Sequence, residues 1–256
     1  MITKQLITIA RFTIQESIYN KSIQLALFVL ITTFTTGYFL TDLMIGSRLK
    51  VLMDFCLLSY QIFVFSFILF FVIPFFGKPS RLKMLSLFIF RSISRPIFIA
   101  GVFLGFTIIL CVASIFFFTA SFIYLWSLYG YLMTHLSIAF AAIFFEAIFL
   151  AATGILLSLL LPNLLSYACI IAIYIISYTS HSWLLLTTKK ANPLGAFLAY
   201  AFYYLLPDLS LLDIKSTVIY QLPFPADSFL LTVLYTLLIS SLFLIVSFLV
   251  FKKKNI

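Results

Sequence analysis

One carboxylate stands alone in a long apolar stretch: Glu146, within residues 134–161. An ionised group at the centre of a bilayer costs roughly 2.5–3.5 kcal/mol on insertion scales, so Glu146 must face a bundle interior or water. Two roles fit it. It can be a buried polar contact that fixes helix packing or a seam between two copies, or it can be a proton or substrate site. No basic residue stands in another apolar stretch to pair with it, which favours the packing role. The remaining titratable residues suggest little catalysis. His135 and His181 fall at the ends of apolar runs with no metal-ligand spacing, so no metal site is assigned. Cys56, Cys111 and Cys169 are dispersed singly and are expected to pack as small apolar groups. No Ser-His-Asp set or carboxylate pair can be assembled on one membrane side, so no catalytic residue is assigned.

The second informative region is 77–105, GKPSRLKMLSLFIFRSISRPIFIAGVFLG. Leu82, Leu85 and Ile89 recur at helical spacing and form an apolar face, flanked by Arg81, Arg91 and Arg95. Ser94 is a candidate helix N-cap, with Pro96 tolerated in the first turn after it. Gly101 and Gly105 have the G-x-x-x-G spacing that lets two helices approach closely. The residues permit either an ordinary orienting loop or a short surface helix that docks a partner. No G-x-x-x-x-G-K-[ST] loop is present, because Gly77-Lys78 runs into Pro79 and lacks the upstream glycine.

These residues must be positioned by elements suited to lipid. Of 256 residues, 64% are apolar and 9% charged, against roughly 25% charged in a soluble domain. Apolar runs long enough for a bilayer core of about 30 Å occur at 22–41, 55–76, 97–126, 134–161, 164–186 and 228–251. Lipid offers no hydrogen bonds, so each is expected to be a helix. The fold class is therefore an all-α, polytopic membrane protein with six spans in a single transmembrane domain, 1–256. Residues 1–21 form an amphipathic interfacial helix rather than a cleavable signal, with Lys4, Thr8, Arg11 and Gln15 on one face and Ile7, Ala10, Ile14 and Ile18 on another.

Orientation follows from Lys and Arg. With the N-terminus inside, eleven fall on the inner side: Lys4, Arg11, Lys21, Lys78, Arg81, Lys83, Arg91, Arg95, Lys252, Lys253 and Lys254. Five fall outside: Arg48, Lys50, Lys189, Lys190 and Lys215. The net charge of +9 is thus an orientation signal rather than a nucleic-acid footprint. Segment 78–95 becomes a cytoplasmic loop and 187–227 an outer loop lying on the membrane surface. Within the latter, the fourteen apolar residues 193–206 are too short to span and read as interfacial or re-entrant. Tyr124, Trp126, Tyr129, Tyr131, Tyr200, Tyr203 and Tyr204 gather near the outer boundary as an aromatic belt would.

Four stretches in order along the chain resemble an ABC-2-type transporter permease, of the compact six-span kind that includes the permease associated with nitrous-oxide reductase maturation. They are IARFTIQE (9–16), FRSISRPIFIAGVFLG (90–105), FEAIFL (145–150) and LPDLSLLDIKSTVIYQLP (206–223). The chain departs from that pattern at Pro79, Ser80 and Arg81, where family members carry acids, and at Ser92, where a proline is common. The resemblance implies an exporter subunit in the bacterial cytoplasmic (inner) membrane with both termini inside. It implies a homodimer of permeases and a separate cytoplasmic ATPase that binds ATP and Mg, with no cofactor in this chain. It makes Arg81, Leu82, Leu85, Ile89, Arg91, Ser94 and Arg95 the ATPase-coupling residues. Two other classes remain open: a membrane anchor or assembly factor that moves no substrate, and an ion-coupled transporter using Glu146.

Overall fold

The computed structural model describes residues 2–43, 48–77, 94–130, 136–189, 209–220 and 226–253. Among them every regular element is helical. They comprise α1 (Ile2–Tyr19), α2 (Ser22–Leu43), α3 (Arg48–Phe67), a π turn (Ile68–Val72), α4 (Ile73–Gly77), α5 (Arg95–Tyr129), α6 (Leu136–Leu160), α7 (Asn163–Lys189), a 3-10 turn (Leu209–Leu212), α8 (Lys215–Ile219) and α9 (Ala226–Lys253). Five stretches are long and apolar enough to cross a membrane: Ser22–Phe39, Arg48–Phe76, Arg95–Tyr129, Leu136–Leu160 and Phe229–Lys252. α7 is apolar over Asn163–Thr179. The coupling positions Arg81, Leu82, Leu85, Ile89 and Arg91 lie outside the described residues, as do 193–206, His135, Tyr131, Tyr200, Tyr203 and Tyr204.

Successive long helices run in opposite directions, as aromatic pairs record. Tyr60 and Phe63 of α3 meet Phe117, Phe75 meets Phe106, and Phe76 meets Phe98, so α3–α4 descends as α5 rises. Gly37 of α2 packs on Phe55 of α3, and Gly154 of α6 lies near Ile170 of α7. Large flat rings supply contact without polar groups, which suits packing where lipid is as apolar as the protein. The buried Tyr60 hydroxyl donates to the Leu110 carbonyl at 3.2 Å, so this polar tip is satisfied inside the aromatic core. On α2, Thr32, Thr33, Thr35 and Thr36 return their hydroxyls to carbonyls three or four residues back, the local solution available in lipid.

The helix spanning Arg48–Phe76 is interrupted for a reason visible in its sequence. Pro74 has no N–H and its ring crowds the carbonyl four residues earlier. The π turn just before it widens the spiral, with Ile73 N–H donating to Ile68 O. The α1–α2 joint is a second break: Lys21 takes φ 68°, a left-handed conformation that L residues adopt at a cost. At the far end of α5, Gly130 takes φ 69° and closes the helix on the Trp126 carbonyl.

α1 does more than lie on a surface. A Cβ on Gly101 would come within 2.8 Å of Ile9, and one on Gly105 within 2.7 Å of Thr13. The two glycines thus form a groove on α5 that α1 enters, advancing in the same direction. The packed face is Ile9, Ala10, Thr13 and Ser17. Of the expected apolar face, Ala10 belongs to the packed side, while Ile7 and Ile18 point away from the protein, the direction in which an interfacial helix meets lipid. The small-residue groove lets the α1 backbone approach closely at Ile9 and Thr13, and helical spacing then turns Ile7 and Ile18 to other sides. Cys111 also departs from its expected packing and is exposed, whereas Cys56 is buried.

Candidate functional site

α6 carries Glu146 near its middle, and the carboxyl is buried at 3% exposure. α7 supplies Tyr178, whose hydroxyl donates to Glu146 Oε2 at 3.1 Å. α3 supplies Gln61, whose Nε2 donates to the hydroxyls of Tyr174 at 2.7 Å and Tyr178 at 3.0 Å. The tyrosine rings lie 5.0 Å apart and Phe65 closes on Tyr174 at 5.1 Å, so an apolar wall holds the phenols in place. The spacing of 174 and 178, one helical turn, puts both hydroxyls on the α7 face turned to Glu146 and Gln61.

The fourth partner comes from outside the long helices. Lys215 of α8 donates from Nζ to Gln61 Oε1. Its ammonium and the Asp213 carboxylate both act electrostatically on Glu146. Five residues on, the Tyr220 ring lies 4.5 Å below Lys50 Nζ, near the start of α3. The contacts of 215–220 therefore run along about 16 Å of α3, from Lys50 to Gln61, at about 1.5 Å per residue. Leu209, Leu212, Ile214, Val218 and Ile219 are buried beneath this segment. The outer connection was expected to lie on the membrane surface. Its described part, 209–220, instead folds in among α3, α6 and α7, because an apolar underside carries one lysine toward an unfilled amide.

No basic residue stands in another apolar run to pair with Glu146; the one that acts on it, Lys215, comes from the segment between α7 and α9. The result is a continuous polar chain, Glu146–Tyr178–Gln61–Lys215, inside an aromatic bundle. Chemically it can neutralise a buried carboxylate, fix the relative rotation of three helices, or pass a proton between carboxylate and phenol. Gln61 and Tyr178 gave no sequence signal, being neutral residues inside apolar runs; only the buried acid demanded donors.

The remaining candidate residues form a separate constellation about the start of α5. Ser94 has the extended backbone of an N-cap (φ −68°, ψ 141°), but its side chain makes no capping bond, and Pro96 falls in the first turn. Arg95 spans to the end of α9, donating from Nη1 to the carbonyls of Lys252 at 2.7 Å and Phe251 at 3.3 Å. A guanidinium there satisfies terminal carbonyls and meets the negative end of the helix dipole. The rings of Phe98 and Phe251 stack beside it at 6.3 Å. Among the described residues no three His, Cys, Asp or Glu side chains gather as a metal-binding group.

Comparison with known proteins adds no relative: no protein-family model matches the chain, and no curated protein sequence matches it significantly.

Proposed function

We propose that this chain is the membrane-spanning permease subunit of an ATP-driven exporter, crossing the bilayer six times with both ends on the cytoplasmic face and working as a homodimer with a separate ATPase. The observation that carries this reading is the junction at the start of α5. Residue 95, directly after the basic segment, holds the end of α9, and nearly two turns further the Gly101–Gly105 groove holds α1. A push on 78–93 therefore reaches α1, α5 and α9 together. Such a junction suits a part that must convert ATPase closure into a change of helix arrangement, provided the ATPase binds the two arrangements with different free energy. α7, with a helical backbone through Lys189, supplies the sixth crossing.

The test uses the whole chain expressed with its ATPase. Replacing Leu85 and Ile89 with Asp leaves insertion intact and abolishes ATPase co-purification. Arg95→Ala keeps the ATPase bound but lowers transport-linked ATP turnover about tenfold, the effect of one charge-assisted hydrogen bond. Full co-purification and turnover in both variants would remove the reading.

The polar chain favours a second reading, an ion-coupled transporter centred on Glu146. In that case Glu146→Gln abolishes transport driven by an ion gradient in vesicles that contain no ATP. Under the first reading such vesicles carry no transport with either residue.

A further inference from the structure

A cavity of about 510 Å³ opens where α1 joins α2. Its lining combines two chemistries. The α1–α2 side gives Glu16, Asn20, Lys21, Gln24 and Phe28, and the helix of 48–76 gives Phe70 and further aromatic side chains. Two backbone irregularities meet there. The left-handed Lys21 bends one wall, and the π turn at Ile68–Val72 with Pro74 widens the other. π turns inside helices frequently accompany functional sites.

Lys21 is informative by its type. At φ 68° a glycine is cheaper, and Lys21 is the non-glycine residue with positive φ among the described residues. Its side chain is exposed and lines the cavity. A lysine held at such a position presents its charge to the cavity mouth. The depth is equally telling. Phe70 lies within about two turns of the end of α4 at Gly77, the level at which a membrane helix leaves hydrocarbon for headgroups.

We propose that this cavity binds a phospholipid with a zwitterionic, primary-ammonium headgroup: phosphate on Lys21, ammonium toward Glu16, and the start of an acyl chain along Phe28 and Phe70. The carboxylate in the same wall disfavours a purely anionic headgroup. The oxygen acceptors of Asn20, Gln24 and Glu16 favour an ammonium that can donate hydrogen bonds over a quaternary one that cannot. The inference requires only that the chain resides in a bilayer, so it stands apart from the exporter reading.

The experiment presents the purified, delipidated full chain with equal amounts of phosphatidylethanolamine, phosphatidylcholine and phosphatidylglycerol, and counts retained lipids by native mass spectrometry. Phosphatidylethanolamine is retained about tenfold over the others, the discrimination of one charge-assisted contact. Lys21→Gly suits the backbone and removes only the charge; it lowers retention of all three lipids, while Lys21→Arg keeps it and Glu16→Gln abolishes the preference. In a Phe28→Trp variant, brominated phosphatidylethanolamine quenches the indole, and adding Lys21→Gly reduces the quenching. Equal retention of all three lipids, a preference for phosphatidylglycerol or phosphatidylcholine, a Lys21→Gly protein that retains lipid as the wild type does, or a Glu16→Gln protein that keeps the preference would each overturn the proposal.

Discussion

Glu146 illustrates how far one residue can be read. A lone acid in an apolar run announces that it must be satisfied, and the structure satisfies it with Tyr178 and, beyond Gln61, with Lys215. The acid was legible because burial of charge is costly anywhere in lipid. Its lysine was not, because a lysine in a connection between spans reads as an orientation charge until that connection is seen to fold inward. Two consequences can be measured by reversible unfolding in mixed micelles. Glu146→Gln preserves an oxygen acceptor for Tyr178 and lowers stability little. Glu146→Leu strands the buried Tyr178 hydroxyl and costs about 1–3 kcal/mol. Equal losses in the two variants would show that the hydrogen bond contributes nothing. Lys215→Met and Gln61→Leu, combined in a double-mutant cycle, show a coupling of at least about 0.5 kcal/mol, since they share one network. Strict additivity would place Lys215 outside it.

Elements carry the next level of specificity. The amphipathic N-terminal segment is readable as a helix from its periodicity, but which side packs is decided by the partner. The glycine spacing at 101 and 105 signals close approach without saying to what, and Ile9 and Thr13 are the answer. Hydropathy puts Ile7 and Ile18 on one apolar face with Ala10, but it does not register the groove that takes Ala10 and leaves the other two outward. The π turn is similar: Pro74 predicts a disturbance in its helix but not whether it appears as a kink or as one extra residue per turn. The close approach makes a sharp prediction. Gly105→Ala places a methyl 2.7 Å from Thr13 Cβ, so α1 must shift, destabilising the protein by about 1–3 kcal/mol. Gly130→Ala meets no atom within 4 Å and acts only through its left-handed φ, costing about 1 kcal/mol. Thermal unfolding of the two variants side by side separates the mechanisms, because Thr13→Gly, which removes the Cβ that the new methyl meets, relieves part of the Gly105→Ala loss and leaves that of Gly130→Ala unchanged.

At the scale of the molecule, continuous apolar runs of about 20 residues dictate an all-helical bundle suited to lipid, since the other fold that satisfies its backbone there, a closed barrel, needs short strands of alternating polarity. The alternation of helix direction is also implicit in short connections. What composition cannot supply is how the ends of distant helices are joined, and here Arg95 is decisive. Its bonds to the Phe251 and Lys252 carbonyls put the start of α5 and the end of α9 at one level. The antiparallel course of α3–α4 against α5 puts Lys50 and Tyr220 at the other end. If the bundle sits in a bilayer as its apolar helices require, cysteines introduced one at a time at Lys252 and Tyr220 must react with an impermeant maleimide from opposite sides, in a background lacking Cys56, Cys111 and Cys169. The excess of Lys and Arg at the Lys252 end predicts that this is the inner side. Intact cells therefore label the Tyr220 position and spare the Lys252 position, while inside-out vesicles reverse the pattern. Labelling of both from one side would break the link through Arg95. With it would go the mechanical junction on which the exporter reading stands.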